Sequence, residues 1–380
     1  MKKYKLLYFV SEDQYFLTHK LAHAKKALKD GFEVFVICKT SNFIQNIQKH
    51  GIKVLSFNFD RQNVNILKEI KKIANFFVLL KKIKPDILQS IALKPIMYAC
   101  LSSIFFPKII KIHCIVGLGY LFINKGIKTF VIKFILEKIF KLFFNKRNNI
   151  VVFQNEDDYN FFKNKKIIQK CKTFIIPGSG VDVNKFSPDK KIKKKYDLIL
   201  HSRMLVDKGI FELVEAFKYL KSKKLDLKIL LLGGADHNNR SSISNSQLIE
   251  FNKLKGLTWI DSKKNVIKYI RESRIGILPS YREGFPKSLL ESASCGLALI
   301  SCNVAGCKEI SVHEYNGLNC NPRDYLELAT NIKALISDKQ KIKRMGINSR
   351  NLVLKGFSDS FISEEFSKVY FFSLKEFKIF

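Results

Sequence analysis

Short apolar runs alternate with amphipathic stretches along the whole chain. Lys5–Val10 is an almost unbroken apolar run, the pattern of a strand covered on both faces. Gln14–Asp30 repeats Leu17, Leu21, Ala24 and Leu28 at three- and four-residue intervals, which predicts a helix stopped by Gly31. Strands are expected at Glu33–Cys38 and Lys53–Phe57, then a long helix at Val64–Lys84 that Pro85 ends. Asp86–Ser90, Ile109–His113 and Ile150–Gln154 are further strand candidates. Alternation of this kind belongs to the α/β class with a parallel, doubly wound sheet.

The rhythm breaks at Ile176–Asp182, which reads Ile-Pro-Gly-Ser-Gly-Val-Asp, and again at the basic, polar stretch Pro188–Lys195. A second strand series follows at Leu198–His201, Leu227–Leu232, Leu257–Ile260, Ile275–Leu278 and Ala298–Cys302. Helical patterns lie between them at Gly209–Lys223, Val266–Ser273 and Lys287–Cys295, and Tyr325–Ser337 and the remainder also read as helix. The expected organisation is an N-terminal Rossmann-like domain over 1–178, a linker over 179–195, a C-terminal Rossmann-like domain over 196–358 and a final helix over 359–380. A length of 380 residues suits two such domains.

Composition adds one strong constraint. Lys and Arg number 67 against 33 Asp and Glu, a net charge of +34, which calls for an anionic partner: nucleic acid, anionic lipid or a phosphate-bearing substrate. Lys far outnumbers Arg and no RNA- or DNA-binding motif is present, so nucleic-acid binding stands only as a rival reading. Most of the excess falls in residues 1–180. There, Leu67–Lys84 and Ile104–Arg147 interleave lysines with aromatics such as Phe105, Phe106, Phe130, Phe134, Phe140, Phe143 and Phe144. That pattern fits an anionic lipid interface. It equally fits helices with a Phe face in the core and a Lys face in water. The eight cysteines form no CxxC pair and no zinc-like cluster with His, as expected of reduced, buried thiols in the cytosol. The N-terminal apolar run stops at Ser11-Glu12-Asp13, too short for a signal peptide, and no uncharged run approaches the ~18 residues of a membrane span. A soluble or peripheral protein is expected.

The richest chemistry lies in Pro279–Glu291, which follows a predicted strand and opens a helix. Gly284 allows a tight turn, Pro286 suits the first helical turn, and the free N–H groups of Phe285, Pro286's successors Lys287 and Ser288, and the helix dipole make an anion site. Glu283 in the turn and Glu291 in the helix offer carboxylates on either side of a bound phosphate. Arg203 and Lys208, between a strand and its helix, suit a diphosphate, Arg as a fork and Lys as a point charge. In the first half His113 ends a predicted strand ahead of the Gly117-Leu118-Gly119 loop. The loop after the first strand, Ser11–Gln14, lacks glycine, and neither a complete GxGxxG nor a Walker A motif occurs, which argues against nicotinamide, flavin and P-loop chemistry.

Together these stretches resemble a retaining glycosyltransferase of the GT-B fold, family 4. The Glu283–Glu291 pair is similar to that family's E-x7-E element, Arg203 and Lys208 to its basic pair, and Gly180-Val181-Asp182 to its linker. Phe16–Lys20 and His113 through Phe122 resemble a narrower group of capsule, O-antigen and N-glycan enzymes that extend undecaprenyl-diphosphate-linked sugars. The resemblance implies two Rossmann-like domains facing each other across a cleft, with the last helix returning to the first domain. It implies transfer of an N-acetylhexosamine (GalNAc or GlcNAc) from UDP, with no cofactor and no metal. Its implied roles are sugar contacts and catalysis for His113 and Glu283, the donor diphosphate for Arg203, Lys208 and Phe285–Ser288, and the ribose for Glu291. His19, Gly117 and Gly119 are assigned to the acceptor side. The implied partners are a nucleotide-sugar, a polyprenyl-diphosphate-linked saccharide and an anionic membrane met through the N-terminal domain, at the cytosolic face of the inner membrane. A hexosyltransferase acting on lipopolysaccharide core or a glycolipid is the alternative within the same fold.

Overall fold

The computed structural model describes residues 3–59, 66–118, 126–236, 239, 241–261 and 265–377. The chain divides into two compact units, one of residues up to Gly180 together with those from Asp359 onward, the other Val181–Ser358.

The first unit is built on a sheet of β1 (Lys5–Glu12), β2 (Glu33–Lys39), β3 (Lys53–Ser56), β4 (Ile87–Ile91), β5 (Ile110–Ile115), β6 (Asn149–Phe153) and β7 (Lys172–Ile175). Their order is β3-β2-β1-β4-β5-β6-β7, and every paired strand is parallel. The sheet is covered on both faces, which explains the apolar runs. Leu6, Tyr8 and Val10 pack toward the helices Asp13–His19, Leu21–Lys29 and Asp359–Glu376. Leu7, Phe9 and Leu88 pack toward the helices Ile66–Ile83 and Leu93–Ser102, and Ile115, Val151 and Phe153 toward Leu93–Ser102 and Ile127–Phe144.

Three sequence expectations change here. The helix read over Gln14–Asp30 is two helices, because Lys20 leaves the helical region at φ −126° and ψ −9°. The strand read as Ile109–His113 runs on to Ile115, so His113 is an interior strand residue and not its carboxyl end. Strand β7 was hidden because its four residues, Lys172–Ile175, begin with two polar ones and are too few to show a period.

The last helix packs into the first unit through Ile362, Phe366, Val369, Tyr370 and Leu374, spaced at three and four residues along one stripe. Its polar contacts are specific. Tyr370 Oη donates to Gln89 Oε1 at 2.6 Å and lies 2.9 Å from Tyr8 Oη, and the Phe366 ring stacks on His23 at 4.7 Å.

The second unit carries β8 (Tyr196–His201), β9 (Ile229–Leu232), β10 (Leu257–Ile260), β11 (Ser273–Leu278), β12 (Ala298–Cys302) and β13 (Gly317–Cys320) in the order β10-β9-β8-β11-β12-β13, again parallel. Much of the stretch expected as a linker is built into this unit. Arg350 Nη1 donates to Phe186 O at 3.0 Å and Ser294 O at 2.8 Å, and its Nη2 to Val183 O at 2.9 Å. Arg271 Nε donates to Ser187 O at 2.8 Å. Irregular backbone is thereby held by guanidinium forks where no sheet partner exists.

Replacing Arg350 by Met should remove these three bonds, leaving Phe186 O only the Ser294 Oγ donor, and destabilise the second unit by about 2 kcal/mol. Urea unfolding followed by tryptophan fluorescence reports it, because the single Trp259 lies in that unit. An unchanged midpoint would show that the fork contributes nothing net.

Candidate active site

In the second unit β8 lies between β9 and β11, so strand order reverses at β8, and the carboxyl ends of β8 and β11 are the switch point at which such sheets bind ligands. The residues after these two strands hold most of the charged groups singled out in the sequence. The two loops are tied together closely. Asp207 O accepts from Tyr281 N at 3.0 Å and from Ser280 Oγ at 2.9 Å. Gly209 has φ +72°, and a Cβ on it would stand 2.0 Å from Pro279 O, so no residue with a side chain fits.

That apposition brings Lys208 to Glu283: the Nζ donates to Oε1, the same oxygen that Ser280 Oγ approaches at 2.7 Å. Both side chains are mostly buried. Oε2 of Glu283 keeps no partner among the described residues and remains an acceptor. Behind the turn, Glu283 N donates to Ala305 O at 3.2 Å. Gly306 lies so close to Gly284 that an added Cβ would be 2.5 Å from its carbonyl oxygen.

The helix Lys287–Ser294 starts directly after this turn. Pro286 is its N-cap and not its first helical residue, and it supplies no side-chain cap. Lys287 and Ser288 therefore occupy the first turn, where N–H groups and the dipole favour an anion. Phe285 does not face solvent; it packs in the core, edge-on to Phe357 at 5.2 Å. Its side chain anchors the turn and leaves only backbone to a ligand. Glu291, one turn on, accepts from His201 Nε2 at 3.2 Å. Arg203 is half exposed, its Nη1 bonded to Asp236 Oδ2 at 2.7 Å.

His201, Asp236, Ser280 and Gly306 were not singled out as site residues from the sequence. The signal for three of them was positional: His201 ends β8, Asp236 follows the Gly233-Gly234 turn after β9, and Ser280 follows β11. Gly306 carries no pattern of its own, since its role depends on what stands opposite.

The first-unit residues fare differently. His19 closes the helix Asp13–His19, its Nδ1 2.8 Å from Thr18 Oγ1 and its ring stacked on Tyr15 at 4.5 Å. Gly117 follows β5 with φ +101°, a conformation that favours glycine. Gly119 lies outside the described residues. His113 needs correction. It is fully buried, with Nε2 3.0 Å from Asn149 Oδ1 and Nδ1 2.8 Å from Ser90 Oγ. Asn149 Nδ2 donates to Lys146 O and Arg147 O, which fixes Oδ1 as the acceptor and His113 as the Nε2–H tautomer. The ring stacks on Phe144 at 5.0 Å. Burial, opposed by the Asn149 bond and helped by Lys111, lowers its pKa to about 4. A neutral imidazole with both nitrogens engaged and no exposed surface has nothing to offer a sugar.

Comparison with known proteins places these two units. Residues 182–352 match the family described as glycosyl transferases group 1, and residues 5–155 match glycosyl transferase 4-like. The chain is 28% identical over 362 residues to the N,N'-diacetylbacillosaminyl-diphospho-undecaprenol alpha-1,3-N-acetylgalactosaminyltransferase of Campylobacter jejuni, covering 91% of this chain and 93% of that one. It is 22% identical to the UDP-Gal:alpha-D-GlcNAc-diphosphoundecaprenol alpha-1,3-galactosyltransferase of Escherichia coli, covering 86% of each. Among solved structures, sucrose-phosphate synthase of Thermosynechococcus elongatus superposes with a TM-score of 0.80 at 16% identity, over 97% of this chain and 98% of that one, a likeness of fold.

The buried His113 has a consequence for pH. The unfolded chain takes up a proton near pH 6.5, while the folded chain resists it until about pH 4. Stability present above pH 6.5 is therefore lost as pH falls toward 4. Between pH 7 and 5 the loss from this group is about 2 kcal/mol. His113→Gln should remove that part of the pH slope, measured by urea unfolding of both proteins at the two pH values. Identical slopes would mean that the imidazole is not held neutral.

Proposed function

The chain belongs to the GT-B glycosyltransferases, its first half matching a 4-like unit and its second a group 1 unit, and from that premise we propose a specific reaction. An N-acetylhexosamine, GalNAc or GlcNAc, passes from its UDP donor to an undecaprenyl-diphosphate-linked saccharide with retention of configuration. Two relatives support the acceptor, since both are named for diphosphate-linked undecaprenol substrates. Both names also specify an alpha-1,3 linkage. A UDP-hexose of this kind carries its sugar in α linkage, so an α product means retention.

The observation that carries the proposal is the cluster at the ends of β8 and β11: Lys208 paired with Glu283 beside an uncapped helix start, with Arg203 and Glu291 flanking. In the proposed reaction the bond between the anomeric carbon and the diphosphate breaks with its electrons leaving on UDP. Lys208, Arg203 and the amides of the first helical turn stabilise that growing negative charge. Glu283 Oε2 accepts a donor-sugar hydroxyl and orients the anomeric carbon. Glu291, held by His201, accepts the ribose hydroxyls. The acceptor oxygen attacks from the face the diphosphate leaves, and its proton passes to the departing phosphate oxygen. Positive charge from side chains and helix start takes the part a divalent ion plays elsewhere, so we propose a metal-independent reaction without a cofactor.

Peripheral attachment at the cytosolic face of the inner membrane, through the first unit, is part of the same proposal. No helix among the described residues is long and apolar enough to cross a membrane. The helices Ile66–Ile83 and Ile127–Phe144 lie on one side of the first sheet and expose Leu67, Val78, Ile127, Phe130 and Phe134 among lysines, while Phe140 and Phe144 are core. The core face accounts for Phe140 and Phe144, and the exposed face is the one we propose meets lipid. Apolar side chains left in water beside Lys suit an anionic bilayer.

Purified protein should form product from UDP-GalNAc or UDP-GlcNAc and a polyprenyl-diphosphate-linked saccharide, undiminished by EDTA. UDP-Gal tests the hexosyl alternative that the Escherichia coli relative's name suggests, and GDP- and ADP-sugars serve as controls. Absence of both turnover and nucleotide binding with every donor would sink the reaction while leaving the fold. Within this assay Lys208→Ala and Glu283→Gln should each lower kcat by about 10²–10³-fold, with unfolding curves shifted little. Near-normal turnover in either would break the site assignment.

A further inference from the structure

At the amino ends of β4, β5 and β6 the first unit has a groove of about 1080 Å³. It lies at the opposite end of the sheet from the loops that carry His19 and Gly117. Its lining includes Lys84, Lys108, Lys111, Lys146 and Arg147 against one carboxylate, Asp86. Asp86 is already engaged, because its Oδ2 accepts from Lys5 N at 2.7 Å.

Three of these cations have a local explanation. Lys84 follows the helix Ile66–Ile83, and Lys146 and Arg147 follow Ile127–Phe144, where helix C-termini favour positive charge. Lys111 has none. It stands inside strand β5 and is 6% exposed; its backbone N–H donates to Asn148 O at 2.8 Å, but no described residue gives its Nζ a hydrogen bond or an ion pair. The neighbouring Cys100 thiol is pushed up by burial and stays neutral, and His113 below is neutral as well. Burial lowers the Lys111 ammonium to about pKa 8, still charged at pH 7. A mostly desolvated ammonium without an ion pair is costly, and a bound anion offsets that cost.

The mouth of the groove is apolar. Phe105 is 73% exposed and Ile104 is 47% exposed. Phe77 packs on Phe105 at 5.7 Å and on Phe106 at 5.1 Å, which ties the mouth to the helix Ile66–Ile83. Phe143, from the helix Ile127–Phe144, lines the groove too. A small phosphorylated metabolite would leave Phe105 in water. An acyl chain beside a phosphate would cover it.

We propose that this groove binds the phosphate headgroup of an anionic membrane phospholipid, with Lys111 as the buried cation that receives the phosphate and Phe105 in contact with the acyl chain. The proposal deepens the membrane reading given above and rests on it for the choice of a lipid. It is separate from the transfer site, so its variants should keep turnover on a soluble acceptor.

Two probes test it on the full chain. Monomeric dihexanoyl phosphatidylglycerol, titrated by calorimetry, should bind wild type and bind Lys111→Met at least 10-fold more weakly, with Lys111→Arg in between. Phe105→Ser should weaken the lipid and leave inorganic phosphate unaffected. Equal binding by wild type and Lys111→Met would overturn the proposal, as would inorganic phosphate binding as tightly as the lipid. The second probe is sedimentation with vesicles of phosphatidylglycerol and phosphatidylcholine, including the exposed-face variant Phe130→Ser/Phe134→Ser. If that variant loses vesicle binding while Lys111→Met keeps it fully, the membrane reading stands and the groove proposal falls. If wild type ignores vesicles but binds the monomeric lipid through Lys111, the groove stands and the membrane reading falls.

Discussion

The approach of two loops in the second unit governs the chemistry of this protein. The chain leaving β8 passes so near the chain leaving β11 that Gly209 has no room for a side chain against Pro279. From that contact follow the bonds from Asp207 O to Ser280 and Tyr281, and from those the meeting of Lys208 with Glu283. The parallel sheet supplies the direction, because strands of one polarity deliver all their loops to the same end. A second close approach, Gly306 against Gly284, holds the turn from the other side. Charged groups that are far apart in sequence are thereby placed by backbone packing, and their side chains have little freedom left to lose when a ligand arrives.

Much of this was legible in the sequence, and the reasons are physical. Strands buried on both faces leave apolar runs, and all eleven predicted strands lie within two residues of observed ones because few other elements leave such a pattern. The Glu283–Glu291 spacing and the helix opening at Lys287 could be read for the same reason: turn and helix chemistry are local. What failed was long-range. His113 appeared at a strand's end only because the strand's last two residues, Cys114 and Ile115, were left out; with them it is interior, and its partners Ser90 and Asn149 come from neighbouring strands. Gly306 and Asp236 gain their meaning from residues tens of positions away. The break of the first helix at Lys20 leaves no glycine or proline to mark it.

The large positive charge divides into roles of different kinds. A few cations stand at the ends of β8 and in the following turn, where a diphosphate is expected. Many lie on helix faces in the first unit and are solvated. Lys111 is neither, and its place inside a strand with no partner for its Nζ separates it from the background of a lysine-rich composition. Net charge alone said only that some anion is a partner; burial and pairing say which lysine to ask about.

The helix Asp359–Glu376 has one more implication, for the order in which the protein is made. The first unit's sheet is complete once residues up to Ile175 have emerged from the ribosome, yet one face of it waits for Phe366 and Tyr370. Tyr8 and Gln89 are buried polar groups whose partner, Tyr370, is synthesised some 280 to 360 residues later. The second unit, by contrast, is a single continuous segment from Val181 to Ser358. The half that is translated first is therefore finished last, and until then it carries an apolar strip along one sheet face that the cell must keep from other nascent chains.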